Sequence, residues 1–299
     1  MKIIILGGEF MKIDMFIQES GKLFIFLSCI FLISLIPLCI TSNGLHLPDI
    51  DKIAAFFHDL ISPQTLTYIH SISGVERPLF PFIFDAFRSS FTIFSLSLLL
   101  SLSIALLLAC VQQFLPPHLR QLMQTAASFL HTIPDLVYIV SAQLLVVAVY
   151  QLTQIRFFRF TGAGEAEAVG LPILVLSIIP TLFLYHTLVN LMEMEWQKPY
   201  IELAKSKGIS RFAILQKHLL RNVLVQLSYH LKFIIATLLG NLFIVEVLFN
   251  NLGLTTFLLS YNQPAIFFIS ALLLFLPIYS LLKLIEIGLF LLLGKGAEL

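Results

Sequence analysis

A few ionisable side chains interrupt the long apolar stretches of this chain, and they are the first candidates for chemistry. They are His131, Asp135, His186, Lys232 and Glu246. Histidine and carboxylate groups can serve as general acids and bases, so an intramembrane acyltransferase or hydrolase is one hypothesis. No nucleophile stands at a spacing that would place it beside His131, Asp135 or His186. The pattern favours a protein that catalyses no covalent step and needs no metal or cofactor.

The highest density of charge lies in one short segment, residues 199–222, which reads PYIELAKSKGISRFAILQKHLLRN. One acid, Glu202, is opposed there by five basic residues: Lys205, Lys207, Arg211, Lys217 and Arg221. Charge concentrated in one loop of an apolar chain predicts contact with a partner outside the membrane. The alternative is a helix that lies on anionic lipid.

Local sequence chemistry predicts that this segment is a helix–turn–helix, called the elbow below. Proline is tolerated in the first turn of a helix, so a helix is expected from Pro199 to Lys207. Gly208 is suited to a left-handed position after that helix. Ser210 can cap a second helix, in which Phe212, Leu215 and Leu219 are expected to form one apolar stripe.

Composition places the chain among membrane proteins. Hydrophobic residues make up 58% and charged residues 12%, and the mean hydropathy is +0.95. Soluble domains carry roughly a quarter charged residues. The net charge of +1 gives no reason to expect binding to nucleic acid. The three cysteines lie in apolar runs and show neither metal-ligand nor disulfide spacing.

Six apolar stretches are long enough to cross the ~30 Å core of a bilayer as helices. They are centred on residues 23–41, 89–111, 136–153, 171–192, 225–249 and 265–293. We expect the third to begin earlier, near Ala126. Turn-forming residues at 250–253 and 262–264 leave a short, partly inserted helix at 254–261.

The positions of lysine and arginine predict the orientation. With the amino terminus inside, twelve fall in inside segments: Lys2, Lys12, Lys22, Arg120, Lys198, Lys205, Lys207, Arg211, Lys217, Arg221, Lys283 and Lys295. Four fall outside: Lys52, Arg77, Arg156 and Arg159. Both termini and the elbow are therefore expected in the cytoplasm. The predicted fold class is an all-α membrane protein with six transmembrane helices and a cytoplasmic elbow between helices four and five.

The elbow resembles a known sequence signature. Glu202, Ala204 and Gly208 resemble the E-A-A-x-x-x-G motif of permeases of binding-protein-dependent ABC importers, with Leu203 in place of one alanine. His218, followed by Leu220-Arg221-Asn222, resembles the H-x-L-R-N continuation of the dipeptide, oligopeptide and nickel branch, specifically its B-type permease. Tyr200 also fits that branch.

A second stretch resembles the same branch. Residues 245–254 are similar to its V-E-x-x-F-x-x-P-G-L pattern, with Leu252 where proline is usual and Glu246, Phe249 and Gly253 matching. The similarity spans roughly residues 85–295. It implies two regions: residues 1–85, with the first helix and an external segment, and residues 86–295, the permease core.

The resemblance implies a function and partners. The chain would form the path for peptides or similar small solutes, or a nickel or metal chelate, through a bacterial cell membrane. It would pair with a second homologous permease, two cytosolic ABC ATPases and an extracytoplasmic binding protein, and hydrolysis would reside in the ATPases. The elbow would be the coupling helix, with Gly208 setting its angle and Phe212 and Leu215 filling a groove on the ATPase.

Several alternatives stay open on sequence alone. Glu246 fits an external gate or a carboxylate at the outer interface, and His186 fits the pathway or a buried structural histidine. An ion-coupled secondary carrier is the alternative function, although such carriers usually show broken helices in both halves. Met11 is an alternative start to Met1, because the codons of Gly7-Gly8-Glu9 can spell a ribosome-binding site. The solute and the residues that touch it are not specified by the sequence.

Overall fold

The computed structural model describes residues 2–41, 44–45, 49–69, 74–155, 157–162, 168–261 and 263–293. Six of its helical segments are long and apolar enough to cross a membrane: Ser20–Cys39, Phe82–Gln112, Asp135–Thr153, Gly170–Trp196, Leu231–Leu248 and Pro264–Ile285. The predicted class, an all-α membrane protein with six transmembrane helices, is confirmed. Arg156, Asn262 and Lys295, which entered the sequence argument, lie outside the described residues.

Two compact units divide the chain. The first comprises residues 1–84 and 257–273, and the second comprises residues 85–256 and 274–299. The first unit contains helix α1 (Lys2–Cys39), helix α2 (Ile50–Ile61) and two short antiparallel pairs. These pairs are β1 (Ile40–Thr41) with β2 (Gly44–Leu45), and β3 (Thr67–Ile69) with β4 (Glu76–Pro78).

Aromatic side chains form the interior of the first unit. The ring of Phe31 on α1 lies 5.6 Å from that of Phe56 on α2 and 6.1 Å from that of Phe268. Tyr68 on β3 is 1% exposed, and its ring lies 5.4 Å from that of Phe257. Rings at such distances add attraction beyond the burial of their area.

The second unit is built on helices. In chain order the helices that enter it are α3 (Phe82–Gln112), α4 (Pro117–His131), α5 (Asp135–Thr153), α6 (Gly170–Trp196), α7 (Pro199–Ser206), α8 (Arg211–Ile214), α9 (Leu220–Ser228), α10 (Leu231–Leu248), α11 (Leu254–Ser260) and α12 (Pro264–Leu293). A π-helical turn, Leu215–Leu219, joins α8 to α9. Helix α6 is the most buried of the six spans, and α4, α5, α9 and α10 all pack against it.

Two spans differ from the sequence expectation. The third does not continue from Ala126, because α4 ends at His131 and α5 begins only at Asp135. Pro134 between them has extended backbone angles, and a residue that precedes proline is disfavoured in a helix. The fifth does not run unbroken from Val225. Tyr229 and His230 form a turn with tight i→i−3 bonds between α9 and α10.

Candidate functional site

The elbow between α6 and α10 has the local structure that its sequence predicts. Helix α7 ends in a Schellman motif, in which the N–H of Ile209 binds the carbonyl of Ala204 (3.2 Å) and that of Gly208 binds Lys205 (2.9 Å). Gly208 has φ +75°, and glycine adopts such an angle without a steric penalty. The side chain of Ser210 then accepts a hydrogen bond from the N–H of Ala213 and begins α8.

A small apolar core holds the two arms of the elbow together. Ile201 and Ala204 on α7 and Ile214 on α8 are buried against one another. Trp196, Tyr200 and Ile209 pack around them. The angle of the elbow is therefore fixed by side-chain packing as well as by the glycine.

The elbow is anchored to the spans by a buried carboxylate, Glu195, at the end of α6. Its side chain is fully buried. One oxygen accepts hydrogen bonds from the hydroxyl of Tyr200 (2.5 Å) and from Asn222 (2.9 Å). The other accepts from Gln226 (3.1 Å) and pairs with Lys198 (3.0 Å). Buried charges are tolerated when they are paired and hydrogen-bonded in this way, so Glu195 ties α6, α7 and α9 into one body.

The same network determines the titration of Tyr200. Burial, together with the hydrogen bond to Glu195, raises the pKa of Tyr200 to about 12. Tyr200 therefore stays a neutral donor to the carboxylate throughout the physiological pH range. Asn222 donates a further bond to the hydroxyl of Tyr200, over 3.0 Å.

The predicted coupling residues divide by exposure. Most point outward: Glu202, Lys205, Lys207, Phe212, His218 and Arg221. Ala204 is buried in the elbow core. Leu215 is only 3% exposed, which corrects the expectation that it fills a groove on another protein. Phe212, in contrast, is 61% exposed, and its ring lies 6.2 Å from that of Phe114 in the α3–α4 turn.

A second buried carboxylate, Glu246, lies near the end of α10. It is fully buried, which excludes an outer-interface carboxylate. It accepts hydrogen bonds from the N–H of Thr255 (3.2 Å) and from its hydroxyl (2.5 Å), and so caps the first turn of α11. A Cβ at Gly253 would overlap this carboxylate. Glycine is needed there for close approach.

The break between α10 and α11 is also tied to the start of α6. Asn251 is buried and binds both backbone groups of Ala168, accepting from its N–H (3.1 Å) and donating to its carbonyl (2.6 Å). The carbonyl of Phe249, itself fully buried, accepts from the N–H of Gly162 (2.7 Å). His186 is half-buried on α6, with its ring 5.4 Å from that of Tyr185.

Sequence reasoning missed Glu195, Trp196 and Gln113, which connect the elbow to the spans. The indole N–H of Trp196 donates to the side-chain oxygen of Gln113 over 3.0 Å. A signal was available: Glu195 lies five residues before Tyr200 at the end of an apolar span, where an unpaired carboxylate is costly.

Six apolar helices define a multi-pass membrane protein, and the elbow is an ordered, largely exposed loop between two of them. The chain belongs to the family of binding-protein-dependent transport system inner membrane components, whose model matches residues 101–287. It is thus a permease component of an ABC importer and is not itself catalytic, and the family implies ATPase subunits and a binding protein as partners.

Comparison with solved structures gives a similar chain in "Inward facing conformations of the MetNI methionine ABC transporter: CY5 native crystal form". The identity is 16%, the match covers 68% of this chain and 94% of that chain, and the TM-score is 0.47. The comparison with curated proteins gave no match.

Proposed function

We propose that this permease carries peptides or similar small solutes, a nickel or metal chelate included, and is driven through its elbow by two cytosolic ABC ATPases. A second homologous permease and an extracytoplasmic binding protein complete the importer. Both termini lie in the cytoplasm of a bacterial cell, and residues 86–295 form the core to which residues 1–85 are added.

One observation supports the coupling role: the elbow is fixed to the spans at its base and exposes the aromatic side chain of Phe212. Glu195 and the apolar core fix the base, while Phe212 is 61% exposed beside Phe114, which is 48% exposed. Aromatic side chains, phenylalanine included, are enriched at protein–protein interfaces. Because the base is rigid, movement of a docked ATPase reaches α6 and α9 as a rigid-body displacement.

The outer break supports a gate. Glu246 holds the first turn of α11, and Asn251 holds the chain that enters α6. The buried carboxylate of Glu246 joins the end of α10 to the start of α11. We therefore expect these two ends to move together when the pathway opens. Phe249, Gly253 and His186 are the accompanying pathway residues in this proposal.

The substrate class rests on the resemblance of residues 199–222 and 245–254 to the peptide and nickel branch. The test is uptake by the assembled importer with its own binding protein, comparing peptides, nickel chelates and opines. If the importer transports another solute and none of these, the assignment to the peptide and nickel branch is wrong, whereas the assignment as a permease still holds. An ion gradient that drives uptake without ATP would instead favour a secondary carrier.

The coupling role is tested by Gly208→Val. An added Cβ at Gly208 meets no atom within 4 Å, so we expect the strain of the positive φ to be the main effect of the substitution. The left-handed angle costs an L-residue about 1–2 kcal/mol, and more when the residue is β-branched. We expect normal amounts in the membrane, weaker co-purification of the ATPases and loss of uptake.

Gly74 offers a matched control, because it also has a positive φ (+63°) and open space around its Cβ position. Gly74→Val should carry a similar strain but retain the ATPases and uptake. If Gly208→Val behaves in the same way, the elbow is not the coupling element. A helix lying on lipid predicts that outcome, with neutralisation of Lys205, Lys207 and Arg211 having the larger effect.

A further inference from the structure

A cavity of about 610 Å³ lies where the elbow meets the ends of the spans. Its wall includes Gln113 after α3, Arg120 on α4, Trp196 at the end of α6, Lys205 on α7 and Arg211 on α8. All of these residues belong to one compact unit. The coupling role does not require a cavity here, so its chemistry needs its own explanation.

The cavity is basic. Three cations and one acid, Glu193, line it, and the acid already accepts a hydrogen bond from Gln124. The ion pairs seen among the described residues involve none of the three cations. No ion pair among the described residues therefore neutralises the excess positive charge, which favours an anionic ligand.

The guanidinium of Arg120 has hydrogen-bonding capacity that the described residues do not use. Its Nε atom is buried and has no hydrogen-bond partner among the residues that the structure describes. Its Nη2 atom reaches the carbonyls of Gln113 and Leu115 only at 3.5 Å each. Buried donors are nearly always satisfied, and the planar guanidinium is well matched to phosphate oxygens.

The indole of Trp196 helps to place the other two cations. Lys205 Nζ lies 5.5 Å and Arg211 Cζ lies 5.4 Å from the ring centroid. Cation–π attraction operates at these distances. The hydrogen bond from the indole to Gln113 fixes the ring in turn. The cations are thus held at the cavity wall.

The depth of the cavity indicates the source of the anion. Helix α6 has 27 residues, or ~40 Å, so it exceeds the ~30 Å hydrocarbon core and its ends reach the headgroup layers. Trp196 is its last residue, and tryptophan is enriched at that depth. Basic pockets between helix ends bind the phosphates of anionic lipids.

We propose that this cavity binds the phosphate of an anionic phospholipid in the leaflet on the elbow side, with Arg120 and Arg211 as its donors. The phosphate group is also available as a free ion or a soluble phosphate ester, and the test distinguishes these sources. The proposal requires the membrane embedding that the six spans establish. It does not depend on the ATPases or on the solute.

The test uses the only tryptophan of the chain, Trp196, as a reporter. The full-length chain is placed in phosphatidylcholine nanodiscs that contain a minority of a brominated lipid, either phosphatidylglycerol or phosphatidylcholine. Bromine quenches tryptophan at short range, so binding of the anionic lipid appears as stronger quenching by brominated phosphatidylglycerol at equal mole fraction. Arg120→Gln and Arg211→Gln should each raise the half-saturating fraction about fivefold.

Lys217→Gln is the matched control, because Lys217 is an exposed base of the same segment that does not line the cavity. It should leave the titration unchanged. Equal quenching by the two brominated lipids, or an equal effect of Lys217→Gln, overturns the proposal. So does displacement of phosphatidylglycerol by millimolar inorganic phosphate or glycerol phosphate, which would assign the cavity to a soluble anion. The Arg120 variant changes a partly buried side chain and could misfold, whereas Arg211 is exposed. Weaker binding by Arg211→Gln therefore supports the site independently of folding.

Discussion

Replacing Glu195 with glutamine should loosen the elbow while leaving every span inserted. The amide keeps one acceptor oxygen for the bonds from Tyr200 and Asn222, but its NH2 group then faces Gln226 and Lys198. The ammonium of Lys198 is half-exposed and regains water, so the loss of that bond counts for little. The substitution therefore removes the charge-assisted hydrogen bond from Gln226. It also weakens the bonds from Tyr200 and Asn222, because their acceptor is no longer charged.

These losses set the expected magnitude. A hydrogen bond to a charged group contributes about 1.5–3 kcal/mol, and a neutral one about 1 kcal/mol. Taking the lower figures, the lost bond contributes about 1.5 kcal/mol and each of the two weakened bonds about 0.5 kcal/mol. The free energy of local opening of α7 should therefore fall by about 2.5 kcal/mol, or roughly 70-fold in its equilibrium constant. Amide hydrogen exchange of the peptide that covers residues 199–210 measures this opening directly, on the full-length chain in nanodiscs.

Glu202→Gln is the matched control, since Glu202 is an exposed acid in the first turn of α7. Loss of its favourable interaction with the helix amino terminus should change exchange less than about fivefold. If Glu195→Gln leaves the exchange of α7 within that range, the carboxylate does not hold the elbow and the rigid-base argument fails.

Three further predictions follow from the same structure. A cysteine at Glu76 should react with an impermeant maleimide from outside the cell and one at Lys207 only after permeabilisation; the reverse pattern refutes the orientation. Gly253→Ala should reduce uptake as strongly as Glu246→Ala, because the methyl group displaces the carboxylate from the start of α11; uptake at the level of the unmodified chain would show that the cap is dispensable. Since the pKa of Tyr200 rises from 10.0 to about 12 on folding, protonated Tyr200 contributes stability below pH 10 that is lost as the pH approaches 12. Fluorescence of the single tryptophan should follow that loss, and a Tyr200→Phe variant that shows the same alkaline change would exclude Tyr200 as its cause.

Features that depend on local sequence were predictable here. The six spans follow from hydropathy, because a helix that crosses the bilayer core needs ~20 predominantly apolar residues in succession. The positive φ of Gly208 and the cap at Ser210 follow from the conformational freedom of one residue and the side-chain oxygen of another. None of these needs knowledge of a distant part of the chain.

Features that depend on packing were not predictable. Phe212 and Leu215 lie three residues apart on the predicted stripe, yet the folded chain exposes the first and buries the second. The burial of Glu195 arises from donors on α7 and α9, up to 31 residues away in the sequence. Only the folded chain brings those groups together.

The discontinuity of the first unit has a consequence for biosynthesis. Its aromatic interior needs Phe268 from residues 257–273, whereas Phe31 and Phe56 are made near the beginning. Residues 85–256 must be translated in between. At ~5–20 residues per second, the early helices wait roughly 10–35 s for their last neighbour. During that interval the surface that later contacts Phe268 meets lipid or the insertion machinery, so the amino-terminal unit is completed late although it is translated first.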